Sequence, residues 1–457
     1  MAHKVRHLKY AWPILVFVVA YLTIFTQDLR IGHIPLKVPL VAIALLVWWV
    51  ERGRLADLTD FRWSRPVLVL GIIAPVAWSL VAIVTRAIGS DVAIIPYGDI
   101  AQEASRFGYI LLYFPLADLL GPPHSPRHRG WLWPILGLAV ITWALWAGVA
   151  IIDAGYAQRS TVLAFSGIFS EQGGVFRVFI ANQILFVPAL GMLLARALLV
   201  RWSWPTACGL ALLLSASYHA HTRGLWVALL AVGFVVLLLQ WRALMRLLAD
   251  RIAVWMLPAV LILAVGAVSV LLLTGSVGLP GFLGDQSAGV RVSQASLLFD
   301  GWRNQPVLGS GLGASLRGGF VRSIADPWSF ELTYLQLLFQ MGAVGLLIVL
   351  WALTVPFTNT VMTLSSQLEE IGQRELSVAG LAALTGVLVA SATNPYLLSA
   401  FGMLCVALGL ALTDLGLRTP ATASGRASAR PPGLPLVAIA VAMVAVLAGL
   451  EFAADRV

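Results

Sequence analysis

The sequence predicts an all-α fold: a polytopic transmembrane helix bundle of about 12–13 spans, with one long loop that holds its own helix. Three observations predict it. Of 457 residues, 60% are hydrophobic and only 11% are charged, whereas soluble domains carry about 25% charged residues. The apolar residues come in runs close to the roughly 20 residues that a helix needs to cross a bilayer. Lys and Arg collect in alternate gaps between those runs, as the positive-inside tendency requires.

The apolar runs fall near 10–26, 32–50, 66–86, 106–121, 131–153, 176–198, 203–218, 222–240, 253–275, 331–354, 376–392, 396–413 and 434–450. The run at 106–121 is short, and those at 203–218 and 376–392 are marginal, so twelve spans fit as well as thirteen. This divides the chain into 1–275 with spans one to nine, the loop 276–330, and 331–457 with the last four spans. Lys4, Arg6, His7 and Lys9 lead straight into the first run without a small-residue cleavage site, so the first helix is expected to be retained. Residues 419–433, TPATASGRASARPPG, hold too little apolar surface to pack and are expected to form a disordered linker. No internal repeat and no appended soluble domain is evident.

Orientation follows from the basic gaps. The amino terminus, Arg52 to Arg65, Arg127 and Arg129, Arg201, Arg242 to Arg251, and Arg418 to Arg430 all fall on one side, which is then cytoplasmic. The segment 355–375 is the exception, because Glu369 and Glu370 offset Arg374. The acidic gap with Asp91, Asp99 and Glu103 and the long loop 276–330 fall on the opposite, extracytoplasmic side. The net charge of +9 is thereby used for orientation, and nucleic acid is discounted as a partner. Cys208 and Cys405 lie inside apolar runs, which suits packing rather than a disulfide or a metal site.

Residues 276–342 are the one long polar stretch, and the candidate chemistry gathers there. A helix is expected from about Asp285 to Arg303, then a glycine-rich loop, then a helix opening at Asp326-Pro327, where Asp can cap and Pro fits the first turn. Glu331 and Tyr334 would then share a face. Two readings fit Glu331: a capping carboxylate at a helix start, or a general base taking a proton from an attacking hydroxyl. Tyr334 fits either an aromatic anchor at the membrane interface or a group that orients an acceptor sugar.

Three arginines stand on the extracytoplasmic side, against the usual tendency: Arg177, Arg223 and Arg291. Each alone could snorkel to lipid headgroups. Together they suit a lipid-linked phosphate or pyrophosphate, because a guanidinium matches phosphate oxygens with a two-pronged fork. His219 and His221 lie beside Arg223, with spacing poor for a metal pair; a hydrogen-bonding or proton-transfer role stays open for His221. The run GSGLGASLRGG at 309–319 lacks the Lys-Ser or Lys-Thr of a nucleotide loop, so its glycines are expected to serve tight turns. Asn394-Pro395 reads as a turn. Asp99 and Glu103 could approach the site, but the sequence does not place them.

These residues resemble the O-antigen ligase and polymerase superfamily over roughly 170–415. The likeness lies in Thr222-Arg223-Gly224 at the start of a span, Arg291 and Trp302 in a large outer loop, Pro306-x-x-Gly309-x-Gly311, and a helix with Tyr334, Leu335, Leu338 and Gly342. It implies a bacterial inner-membrane glycosyltransferase that uses an undecaprenyl-pyrophosphate-linked glycan, with Arg177, Arg223 and Arg291 holding the pyrophosphate. The partners would be that donor, an acceptor glycan or glycolipid, and the lipid bilayer, with no metal or other cofactor. Ligases of this superfamily usually carry His, often followed by Asn, three residues before the helix Tyr. Here Glu331-Leu332 stands there, which favours a polymerase or a divergent glycan transferase. The alternative of another class is a transporter of an anionic solute or lipid-linked sugar, whose marks would be broken helices or matching halves.

Overall fold

The computed structural model describes residues 30–31, 34–35, 37–52, 61–89, 93–120, 167–172, 175–180, 183–199, 203–220, 222–240, 286–317, 329–366, 371–392 and 394–417. Among these the chain is mostly helical. In chain order the helices are α1 (Lys37–Arg52), α2 (Ser64–Ile88), α3 (Tyr97–Phe107), α4 (Tyr113–Leu119), α5 (Phe186–Leu199), α6 (Trp204–Ala220), α7 (Arg223–Leu239), α8 (Gln286–Asn304), α9 (Thr333–Ser366), α10 (Ile371–Ser391) and α11 (Ala400–Leu417). Helices α2, α9, α10 and α11 are long and apolar enough to cross a membrane, and α1, α5, α6 and α7 contain shorter apolar helical stretches. The runs at 10–26, 131–153, 253–275 and 434–450 and the linker 419–433 lie outside the described residues.

Outward-facing apolar stripes match this membrane character. Ile73, Val76, Leu80, Val84 and Ile88 are exposed along α2, and Val227, Leu230, Phe234 and Leu238 along α7. Their spacing of three and four keeps each set on one helical face. Exposed faces of this kind are unfavourable in water and suit hydrocarbon.

At the centre stands α10, packed against α5, α7 and α11. Small residues permit the close approach, as is usual between membrane helices. A Cβ at Gly380 would lie 2.6 Å from the Gly409 carbonyl, and one at Gly191 would lie 2.7 Å from Ala382 Cβ. The main apolar core runs through all of these helices and through an aromatic group of Trp48, Phe61, Tyr113 and Phe114.

Three differences from the sequence expectation have local causes. The run at 106–121 is no single span: α3 ends at Phe107, a 3-10 stretch covers Gly108–Leu112, and α4 follows. Its apolar content reflects burial in the protein core, since 107–115 are all buried. The 3-10 stretch fits against a π-helical turn of α2, Val69–Ile73, where Gly71 leaves no room for a Cβ beside Ile110 and Leu111. Second, the run expected at 176–198 begins as a strand. Strand β4 (Gly167–Gln172) pairs antiparallel with β5 (Val175–Ile180), and the β-branched and aromatic residues of VFRVFI favour that extended form. Third, short antiparallel pairs join Ala93–Ile94 (β3) to Ser315–Leu316 (β6) and Arg30–Ile31 (β1) to Ile34–Pro35 (β2), so the fold is not strictly all-α.

Candidate functional site

The two ends of the bundle differ. One end gathers the close of α2, β3, α3, the start of α5, Thr222, α8, β6 and the turn between α10 and α11; the other carries Arg62, Arg65, Arg196 and Arg374. Of the polar side chains at the first end, many sit in a connected network rather than on the surface. A small apolar core of Ala82, Ala93, Ile95, Ile100, Leu298, Ala314, Leu316, Phe330 and Phe339 supports them.

The network is built around a break in α9. Gly342 has φ 65° and ψ −172°, a conformation that essentially only glycine adopts, and it interrupts the helix. A break strands carbonyls on one side and N–H groups on the other, and buried groups of that kind must find partners. Residues 306–312 insert and provide them. Ser310 N donates to Phe339 O at 2.9 Å and Gly311 N to Gln340 O at 2.8 Å. Ala343 N donates to Pro306 O at 2.9 Å and Val344 N to Val307 O at 3.2 Å. Trp78 Nε1 from α2 is shared between Leu308 O and Met341 O, each at 2.8 Å.

Gly309, Gly311 and Gly313 all have positive φ, between 71° and 95°. A Cβ would meet Gly342 N at 2.4 Å from position 309, Ala82 Cα at 2.2 Å from 311, and Ile100 N at 2.5 Å from 313. The glycines therefore serve both turning and contact, and the loop is wedged between α2, α3 and α9 rather than laid over a groove.

Helix α8 occupies Gln286–Asn304, close to the expected Asp285 to Arg303. It docks on the start of α9. The Gln294 side-chain carbonyl accepts from Glu331 N at 2.9 Å and Leu332 N at 3.2 Å, so α8 caps α9 from outside that helix. Helix α9 begins at Thr333, and the expected opening Asp326-Pro327 lies outside the described residues. Glu331 thus precedes the helix instead of occupying its first turn. Its partner is Arg291, whose Nε donates to Glu331 Oε2 at 2.7 Å, with both side chains about a quarter exposed.

Tyr334 does not share that neighbourhood. Its hydroxyl donates to Leu388 O of α10 at 2.6 Å, and its ring packs on the main core, so the expected common face with Glu331 is not formed. Arg177 lies on β5 in register with Ser170 and not at a helix start. Arg223 is the first residue of α7, and the preceding Thr222 is buried and bonded to Gln183, whose amide also donates to the Tyr396 hydroxyl. His221 lies outside the described residues. Asn394 and Pro395 do lie in the turn between α10 and α11. Thus Arg291 and Glu331 meet, and Tyr334 belongs to the helix packing.

Glu103, unplaced by sequence reasoning, is fully buried at the centre of the network. Its Oε2 accepts from Gly313 N, and its Oε1 accepts from Gln336 Nε2 at 3.0 Å. The Gln336 side-chain carbonyl accepts in turn from Phe330 N at 3.1 Å, and Gln340 Nε2 donates to Ala314 O at 3.1 Å. Burial pushes the Glu103 carboxyl from 4.5 up to about 8, against the lowering pull of the Gly313 N–H, of Arg106 and of the Gln336 amide. The available signal was an acidic residue one turn before an apolar run, which carries no information about its partner. Among the described residues no cluster of three or more His, Cys, Asp or Glu could hold a metal ion. The chain matches no protein-family model and no curated protein.

Proposed function

We propose that the chain is a membrane glycosyltransferase that moves or polymerises a glycan from an undecaprenyl-pyrophosphate carrier onto an acceptor hydroxyl at the extracytoplasmic face. The observation that supports it is the juxtaposition of Arg291 and Glu331 at 2.7 Å, partly exposed at the end of the bundle that carries the long loop. The acceptor oxygen would attack the anomeric carbon while the bond to the pyrophosphate oxygen breaks. The electron pair leaves with the lipid pyrophosphate, and the acceptor proton passes to the Glu331 carboxylate. The ion pair uses one of the five N–H donors of Arg291, and a pyrophosphate competes for the same guanidinium. Arrival of the donor would therefore free Glu331 to act as base. Arg177 and Arg223 are assigned to the same pyrophosphate by the family likeness alone, and no metal or nucleotide is required by this chemistry.

Transport is the second reading, favoured by the break of α9 at Gly342, since interrupted helices form the sites of many transporters. Against it, the groups freed by the break are bonded to residues 306–311 and to Trp78. Purified protein in vesicles with a lipid-linked oligosaccharide separates the two. The enzyme reading expects release of lipid pyrophosphate and a lengthened or relocated glycan, lost in Arg291→Ala and Glu331→Gln. Movement of an intact donor across the bilayer would replace it with transport.

A further inference from the structure

Glu103 ties the wedged loop to α9, alongside a second side-chain link in which Gln336 Nε2 donates to Gln340 Oε1 at 3.2 Å and Gln340 Nε2 donates to Ala314 O at 3.1 Å. One carboxylate oxygen holds Gly313 of the wedged loop, and the other holds Gln336, whose carbonyl holds Phe330 beside Glu331. Both groups facing the carboxylate are donors, so the arrangement is built for an acceptor at each oxygen. A proton on Glu103 would place O–H against N–H at one of the two contacts. Rotating the Gln336 amide does not repair this. It would turn an NH2 toward Phe330 N–H, a donor that cannot become an acceptor.

We propose that Glu103 is a positioning residue that latches the glycine loop to the segment carrying Glu331, and that taking up one proton releases one of the two ties. The catalytic consequence rests on the reading of Glu331 as proton acceptor; the latch itself does not. The charged groups acting on Glu103 are Arg106 and Asp99, both on α3. From the loop and from α9 it meets the Gly313 and Gln336 amides, and Arg86 of α2 is committed to Ile95 O and the Tyr97 ring. Its titration range, near 8 rather than 4.5, puts the switch close to neutral pH.

The test is backbone hydrogen exchange on the full chain in lipid nanodiscs, corrected for intrinsic rates, across the neutral to mildly alkaline range. In the wild type, one of the two peptides covering 309–317 and 329–332 should become more protected as pH rises, by on the order of tenfold. Glu103→Gln imitates the protonated form, keeps one tie through its carbonyl, and should hold that same peptide at the low-protection limit at every pH. Gln336→Leu should loosen 329–332 alone. Equal, pH-independent protection in wild type and Glu103→Gln would overturn the latch, and if that variant does not fold, a flat wild-type profile does so alone. Transfer activity measured on the same samples separates the two readings: protection that titrates without activity removes the glycan assignment and keeps the latch, whereas activity with flat protection does the reverse.

Discussion

Arg291 and Glu331 meet at 2.7 Å across 40 positions of sequence, one on the loop helix α8 and the other at the entrance to α9. The pair is partly exposed, so water screens it and its contribution to stability is about 1 kcal/mol or less. Arg291→Ala should therefore leave the unfolding temperature nearly unchanged. If the pair serves the pyrophosphate, the same variant should abolish long-chain surface glycan while normal amounts of protein remain in the membrane. A normal glycan ladder would count against the proposal.

Gly311→Ala should fail structurally. The added Cβ would lie 2.2 Å from Ala82 Cα, at a φ of 95°, and both backbones would have to shift. Strain of this kind costs at least about 2–3 kcal/mol. Gly98→Ala is the control, because nothing lies within 4 Å of a Cβ there. In the first turn of α3 it should be neutral or stabilising by up to about 1 kcal/mol. Thermal unfolding of the two variants in detergent checks both.

Trp78→Phe removes one N–H that two carbonyls share, the part-buried Leu308 O and the buried Met341 O. The ring volume is largely kept, yet the carbonyls lose their donor at the break in α9. The expected cost is about 1–3 kcal/mol, with faster hydrogen exchange at 306–311 than at the far end of the bundle.

Tyr113→Phe tests the opposite end. The hydroxyl donates to Asp414 Oδ2 at 2.6 Å and accepts from Trp63 N at 3.1 Å, so its removal leaves buried groups with fewer partners. Unfolding should come earlier by about 1–3 kcal/mol, and transfer by the folded fraction should be unaffected.

The pH dependence of stability has a defined sign at Glu103. Its carboxyl ionises near 4.5 in the unfolded chain and near 8 in the fold, so the fold binds the proton more tightly. Measured against the unfolded chain, where Glu103 meets water, the resulting global stabilisation is complete below pH 4.5 and is lost as pH rises toward about 8. The latch has the opposite sign because it opens with Glu103 still buried and loses only a donor that favours the carboxylate. Glu103→Gln should flatten this part of the stability curve, so that the variant gains on the wild type as pH rises through that range. Parallel curves for the two proteins would contradict it.

The membrane-bundle character, the helix at 286–304 and the turn at Asn394-Pro395 were legible in the sequence, because hydropathy and turn chemistry act locally. The pairing of Arg291 with Glu331, the turning of Tyr334 toward Leu388, the strand at Arg177 and the burial of Glu103 were not. Each depends on which distant segment comes to lie alongside. The glycines at 309, 311 and 313 illustrate the division: sequence showed that the chain must turn there, and tertiary structure decided that the turn enters the bundle. The physical reason is the break at Gly342, whose stranded carbonyls and N–H groups require backbone partners that a local pattern of residue types cannot identify.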